Sequence, residues 1–313
     1  MRNAFAEEIM RLAELEKRLV LLSGDIGNRL FDGFKAKYPE RFFNCGVAEA
    51  NMTGVAAGLA MSGLRPVTYT IAPFATTRCL EQIRNDICYH DLPVTIVGVG
   101  SGLGYAELGA THQSLEDIAL LRSIPNMTVL CPADPIETRF ALQASLNQNH
   151  PVYLRIGKKG EPAIHKSTLD YNIGKAIKLR TGSDMALLTT GVIAPLAMAI
   201  AKTLSLQAIE AEVLHFPSVK PLDEDALSYC LKTYDVVASL EEHSRIGGFG
   251  AAIAELTSDM GCDLRRLLRF GTQDVFLHEA GDMHYARNRH GLSLEPIINA
   301  ICCSLNNQNH LVC

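Results

Sequence analysis

The chain reads as an α/β protein built from two open, mostly parallel-sheet domains, and three observations predict this. Its 313 residues suit two domains of about 150 residues better than one. Short β-branched runs alternate with longer helical stretches along nearly the whole length. A polar, weakly patterned stretch from Lys158 to Asp184 splits that alternation into two series. The expected organisation is therefore a first domain over 1–157, a linker over 158–184 and a second domain over 185–313.

Asn3 is the expected N-cap of a first helix running to about Lys17. LVLLSGD (19–25) reads as a buried strand with a loop after it, and FDGFKAKYP as a short helix stopped by Pro39. RFFNCG leads into a small-residue helix that Gly63 terminates. RPVTYTI follows as a strand, PFATTRCLEQIRNDICYH as a helix with Pro73 near its start, and PVTIVGVG as a buried strand. After the Gly-rich loop SGLGYAELGATHQ comes SLEDIALLRSI, a helix with a Ser cap and acids in its first turn. MTVLCP, DPIETRFALQASLNQ and PVYLRIG complete the first series as strand, helix and strand. A strand near 176–180 is expected in the linker. The second series runs through MALLTTG, PLAMAIAKTLS, AEVLHFP, DEDALSYCLKT, DVVASLEEH, GFGAAIAELTSDM, RRLLRFG and LEPIINAICCSL.

Composition narrows the function. A hydrophobic share of 48% with 20% charge describes a globular chain, and a formal charge of −5 provides no basic surface for nucleic acid. No apolar run reaches the roughly 20 residues that span a bilayer, and the N-terminus lacks a signal-type apolar segment. The nine cysteines are scattered without a C-x-x-C pair, which fits reduced thiols and a cytoplasmic location.

In open parallel sheets, ligands bind beyond the carboxyl ends of the strands. Loops of that kind carry Asp25 to Arg29, Asn44 to Glu49, and the Gly-rich loop to Gln113, while Arg155 follows the last strand of the first series. Glu49 has two readings. As a first-turn acid it gains about 0.3–1 kcal/mol from the helix dipole. Yet the helix behind it (Ala50, Gly54, Ala57, Gly58, Ala60) is small enough for another chain to approach closely. A carboxylate desolvated at such a seam is placed to hold or share a proton. His112 is either a surface histidine or a substrate contact, and Arg155 either a strand-end charge or a forked anion clamp. Asp25 and Asn28 suit an Asx turn. His278, His284 and His290 match no zinc spacing, so no metal ligand is assigned. Gly247 and Gly248 lack the rest of a dinucleotide fingerprint.

Taken together, LSGDIGN, RFFNCGVAEANMTGVAAGLA, RCLEQIRND, LGATHQSLEDIALLRSIPNMTVLCPADPIE, PVYLRIG and SLEEHSRIGGFGAAIAE resemble the C-terminal half of the transketolase family. The resemblance implies a pyrimidine-binding domain, then a smaller C-terminal domain, and thiamine diphosphate as cofactor. It implies that Glu49 contacts the aminopyrimidine ring nitrogen and favours the imino form that takes the proton from thiazolium C2. His112, in the THQ motif, then binds substrate hydroxyls or assists proton transfer. Arg155 corresponds to an arginine that holds a sugar phosphate, and Asp25 to an acid near the thiamine. Phe74 and Arg78 fall in the pyrimidine-stacking segment, where Ala72 and Ala75 replace the usual aromatics.

The family's GDG motif, which with a downstream asparagine and Mg²⁺ holds the diphosphate, is missing. The chain thus resembles one subunit of a split transketolase, whose partner, the N-terminal subunit, carries GDG and the metal; self-association is also expected. Leu108 stands where the family has an aspartate that reads a sugar hydroxyl, and Gly100 where some members carry a second histidine. Arg29 takes the place of a serine that touches the substrate phosphate, and is expected to contact substrate. These departures point to an atypical or modified sugar, phosphorylated or otherwise. The competing functions are a 2-oxo acid dehydrogenase beta subunit, a deoxyxylulose-phosphate-synthase-like enzyme, and a non-catalytic regulatory homologue.

Overall fold

Runs such as LVLLS and VYLRI are buried along their full length, as strands covered on both faces must be. The computed structural model describes residues 1–27, 29–166, 168–263 and 267–309, the side chains of 307–309 excepted. Its first half contains α1 (Arg2–Leu15), β1 (Leu19–Ser23), α2 (Asp32–Lys37), β2 (Phe42–Asn44), α3 (Glu49–Met61), β3 (Arg65–Ile71), α4 (Ala72–Ala75), α5 (Leu80–Gln82), β4 (Thr95–Val99), α6 (Asp117–Arg122), β5 (Thr128–Leu130), α7 (Pro135–Leu146) and β6 (Val152–Ile156). The second half contains β7 (Ile177–Arg180), β8 (Met185–Thr189), α8 (Ala194–Ser205), β9 (Ala211–His215), β10 (Ser218–Lys220), α9 (Glu224–Thr233), β11 (Val237–Ser244), α10 (Phe249–Asp259), β12 (Leu267–Thr272), α11 (Met283–Arg289) and α12 (Leu294–Asn309).

The strands form two sheets, ordered β10-β5-β6-β4-β3-β1-β2 and β12-β11-β8-β9-β7. Each is parallel except at one edge, where β10 runs antiparallel to β5 and β7 antiparallel to β9. This is the expected α/β class. β10 comes from the second half of the chain yet closes the first sheet. Apolar side chains from both halves, among them Ile118, Met127, Leu188 and Phe216, share one continuous core. No helix among the described residues is long and apolar enough to cross a membrane.

Several local expectations change. The stretch read as one helix from Pro73 is broken: after α4 the chain passes through a 3-10 turn (Thr77–Cys79), α5 and a π-helical segment (Ile83–Cys88). Thr76 Oγ1 donates to the Ala72 carbonyl at 2.7 Å and its own backbone leaves the helical region, so the ladder stops there. Asn3 lies inside α1, whose cap position is Met1. The Ser cap of α6 is not used, because the helix starts later, behind Glu116. Ser114 instead pairs its N–H with the Gly102 carbonyl. α11 was not anticipated. Asn28 and the first residues of RRLLRFG lie outside the described residues.

α7 shows a cap extended into a tether. Asp134 accepts from Glu137 N at 2.8 Å, and its other oxygen accepts from Ile164 N and His165 N at 2.7 and 2.8 Å. Burial pushes this carboxyl up, but the His165 ring and these amides outweigh it and hold it below the ordinary aspartate range. Its contribution to stability is therefore full above about pH 4 and shrinks as pH falls further. Urea unfolding of Asp134→Ala is expected to show a loss of about 2–4 kcal/mol at pH 7. The gap to the wild type should narrow below about pH 4.

Candidate active site

Glu49 opens α3 but does not cap it: α3 has no side-chain cap hydrogen bond, and Ala48 holds the cap position. The residue is only 1% exposed. Its Oε2 accepts from Arg78 Nη1 at 2.7 Å, and Oε1 lies 3.4 Å from the Thr70 hydroxyl. The loop after β1 packs directly over it. A Cβ at Gly24 would stand 3.0 Å from Thr70 Oγ1 and 3.3 Å from Glu49 Cγ, so glycine is what lets the loop close down on the carboxylate.

Arg78 sits on the 3-10 turn created by the break after α4. Its guanidinium lies 3.9 Å above the Phe74 ring, and its side chain is 42% exposed. Phe74 in turn meets His112 edge-on, with ring centroids 5.1 Å apart. Glu49, Arg78, Phe74 and His112 thus form one chain of contacts running from a buried carboxylate to the surface.

His112 rides on a loop closed by an antiparallel bridge between Gly102 and Ser114. Its Nδ1 is 2.9 Å from Thr111 Oγ1, and Tyr105 flanks it with centroids 6.3 Å apart. Tyr105 also fills the space above Gly100, where a Cβ would lie 2.0 Å from its ring. Lys158 lies over the same ring at 4.4 Å and pairs with Glu107. Leu108 is half exposed on this loop.

Asp25 and Arg29 flank the group without joining it. Both are exposed and adopt positive φ, +58° and +65°. Asp25 accepts from Asn44 Nδ2 at 2.8 Å, and Asn44 Oδ1 accepts from Gly46 N at 3.0 Å, which ties the first loop to the approach to α3. Arg29 forms no hydrogen bond or ion pair among the described residues.

Arg155 requires a correction. It does not project beyond β6 as an anion clamp. Its side chain is 2% exposed, with Nε on Asp117 Oδ2 at 2.8 Å and Nη2 on the carbonyls of Ser114 (3.0 Å) and Glu242 (3.1 Å). The Tyr153 hydroxyl donates to the same Asp117 oxygen at 2.6 Å. Burial pushes Asp117 up, but the charge on Arg155 and the hydrogen bonds from Arg155 and Tyr153 act against it, and the carboxyl stays below its ordinary value. Burial lowers neighbouring His243 to about 4, so the ring is neutral at pH 7. That fits its hydrogen bonds, with Nε2 accepting from Ala119 N (3.3 Å) and Nδ1 at the Ser244 carbonyl (2.8 Å). Strand β6 ends at Ile156, so the cation that emerges beyond it is Lys158. No role was assigned to it from the sequence; the two lysines that follow RIG were the available signal. Thr70 and Tyr105 were missed as well. Among the described residues, no group of three or more His, Cys, Asp or Glu is arranged to hold a metal ion.

Comparison with known proteins assigns the chain. The transketolase pyrimidine-binding domain matches residues 1–161 and the transketolase C-terminal domain residues 174–293. The chain belongs to the transketolase family and corresponds to its pyrimidine-binding and C-terminal domains. It is 36% identical over 304 residues to a putative transketolase C-terminal section of Methanocaldococcus jannaschii, covering 96% of this chain and 95% of the relative. It is 35% identical to the 6-deoxy-6-sulfo-D-fructose transketolase subunit SqwH of a Clostridium species, covering 96% and 92%. A solved split-gene transketolase, described as an inactive β4 tetramer, superposes with a TM-score of 0.88 at 34% identity over 97% of both chains.

Replacing Arg155 separates the two roles considered for it. If it anchors a buried pair, Arg155→Met leaves Asp117 uncompensated, and chemical denaturation should show a loss of about 3–5 kcal/mol. A surface clamp would change stability by less than about 0.5 kcal/mol.

Proposed function

We propose that this chain is the C-terminal subunit of a split transketolase that transfers a two-carbon ketol unit between anionic sugars, and that it works only with a partner subunit. The observation that carries the reading is the slot at Glu49, where a buried carboxylate faces a planar cation seated over an aromatic ring. Arg78 fills that slot here. A protonated, planar aminopyrimidine satisfies the same carboxylate and the same Phe74 face, so the residues fit thiamine diphosphate. When bound, that cofactor supplies the carbon that attacks the ketose carbonyl and carries the two-carbon unit.

The chain's own residues then have separate tasks. Glu49 holds a proton at the ring nitrogen, and burial keeps water from competing for it. Arg78 neutralises Glu49 until the ring arrives and afterwards turns outward, where its side chain is already half exposed. His112 contacts sugar hydroxyls or relays a proton at the mouth. Lys158, steadied on Tyr105, takes the anionic end of the sugar, the role first expected of Arg155. Asp25 lines the approach to the thiamine, and Arg29 stands ready for the sugar's charged end.

The diphosphate and Mg²⁺ are assigned to the partner, an N-terminal subunit bearing GDG. α3 offers it a surface: Asn51, Val55 and Gly58 are exposed along one side, and Gly58 has no atom within 4 Å of its Cβ position. Exposed Val47 and Met61 extend that face at its two ends. The β4 assembly described for the related structure supports self-association. An anionic sugar is supported by relatives described as acting on 6-deoxy-6-sulfo-D-fructose and on apulose 4-phosphate. The unpaired cysteines fit a cytoplasmic setting.

The chain alone should be inactive, with activity appearing when a GDG-bearing subunit, thiamine diphosphate and Mg²⁺ are added. In that assembly Glu49→Gln should lower kcat by about 10²–10⁴-fold; full activity in this variant would remove Glu49 from the chemistry. Lys158→Ala should raise KM for a ketose phosphate but not for the matching free ketose. Turnover of pyruvate in place of ketose phosphates would instead favour an oxo-acid or deoxyxylulose-phosphate-type enzyme.

A further inference from the structure

A cavity of about 650 Å³ lies between the two halves of the molecule, away from the Glu49 slot. One wall comes from the loops after β4 and β6, the other from the start of α8 and from α11 and the start of α12. The volume falls within the range of about 300–1,000 Å³ typical of small-molecule sites. Neither the cofactor slot nor the sugar contacts proposed above account for it, apart from Lys158 at its edge.

Its chemistry is divided. Val192, Leu196, Met283 and Leu292 give it an apolar body. Lys159 and His284 face it from opposite halves, and neither forms a hydrogen bond or ion pair among the described residues. Arg287 and Lys158 also line it but are already paired, with Glu242 and Glu107. The one carboxylate in the lining, Glu161, is itself in an ion pair. Ser101 lines the cavity as well, and it is 1% exposed with a hydroxyl that has no hydrogen-bond partner. A buried hydroxyl left unpaired is costly unless something supplies the bond.

We propose that this cavity is a second ligand site, taking a small amphipathic anion with one acidic head and a compact apolar body. The head lies between Lys159 and His284, the body on Leu196 and Leu292, and Ser101 gains the hydrogen bond it lacks. Because the occupant touches both halves, it ties them together. It also abuts Lys158, while neither Tyr105 nor His112 lines it.

The test is calorimetric titration of the full chain with phenyl phosphate, with inorganic phosphate and phenol as head-only and body-only controls. Phenyl phosphate should bind at least about tenfold more tightly than either control, and the combined Lys159→Glu, His284→Glu variant should lose at least about tenfold in affinity. Both positions are exposed and unpaired, so the variant should keep the wild-type melting temperature. Leu196→Trp, which fills the apolar body, should abolish binding, while His112→Ala should leave it unchanged. No binding by the wild type, equal binding of inorganic phosphate, unaltered binding by the charge-reversed variant, or loss of binding in His112→Ala would each overturn the proposal.

Discussion

The structure depends most on one buried ion pair, Asp117 with Arg155. It joins elements that have no covalent reason to stay together: the interior strand β6, the start of α6, and, through the Glu242 carbonyl, strand β11 of the second sheet. Two charges so far from water are tolerable only when their remaining bonds are satisfied. Tyr153 and the carbonyls of Ser114 and Glu242 meet that demand. The same carbonyls anchor the loop ahead of α6. Ser114 closes that loop on Gly102, and Leu103 N donates to Glu242 Oε1 at 2.8 Å. A Cβ at Gly102 would come 2.4 Å from that Glu242 oxygen, so the junction admits nothing larger than glycine. The loop that carries His112 is thus anchored from beneath by a fully buried salt bridge.

The carboxylates of this region show how burial sorts similar groups. Burial pushes Glu241 up to about 7 even though it accepts from Phe249 N and Gly250 N at the start of α10. Asp117, equally buried, is held low because Arg155 lies against it. Glu49, also buried, is paired instead with an arginine whose side chain is 42% exposed.

Much of this was legible in the sequence. RPVTYTI was bounded correctly as β3 because Gly63 ends the helix before it and the next residues restart helical geometry. The parallel sheets followed from the alternation, and Glu49 from its isolation among small residues. What escaped depends on contacts that local patterns do not encode. The break at Thr76 looks like continuous helix in a list of residues, yet it is what delivers Arg78 to Glu49. Arg155 was misjudged because a one-residue shift at a strand end decides whether a side chain lies under the sheet or beyond it. Tyr105 could be placed only once the loop was seen folded over Gly100.

β10 has a consequence for modularity. The first sheet borrows its last strand from the far side of the linker, pairing Ser218 and Lys220 against Leu130 and Val129. The second half therefore lends the first a backbone segment as well as side-chain contacts. A fragment cut within the linker would carry β5 with a bare row of amides and carbonyls, an edge open to whatever strand it met. Any rearrangement that moved the first half into a new protein would have to bring three residues of the second with it, or supply a substitute edge.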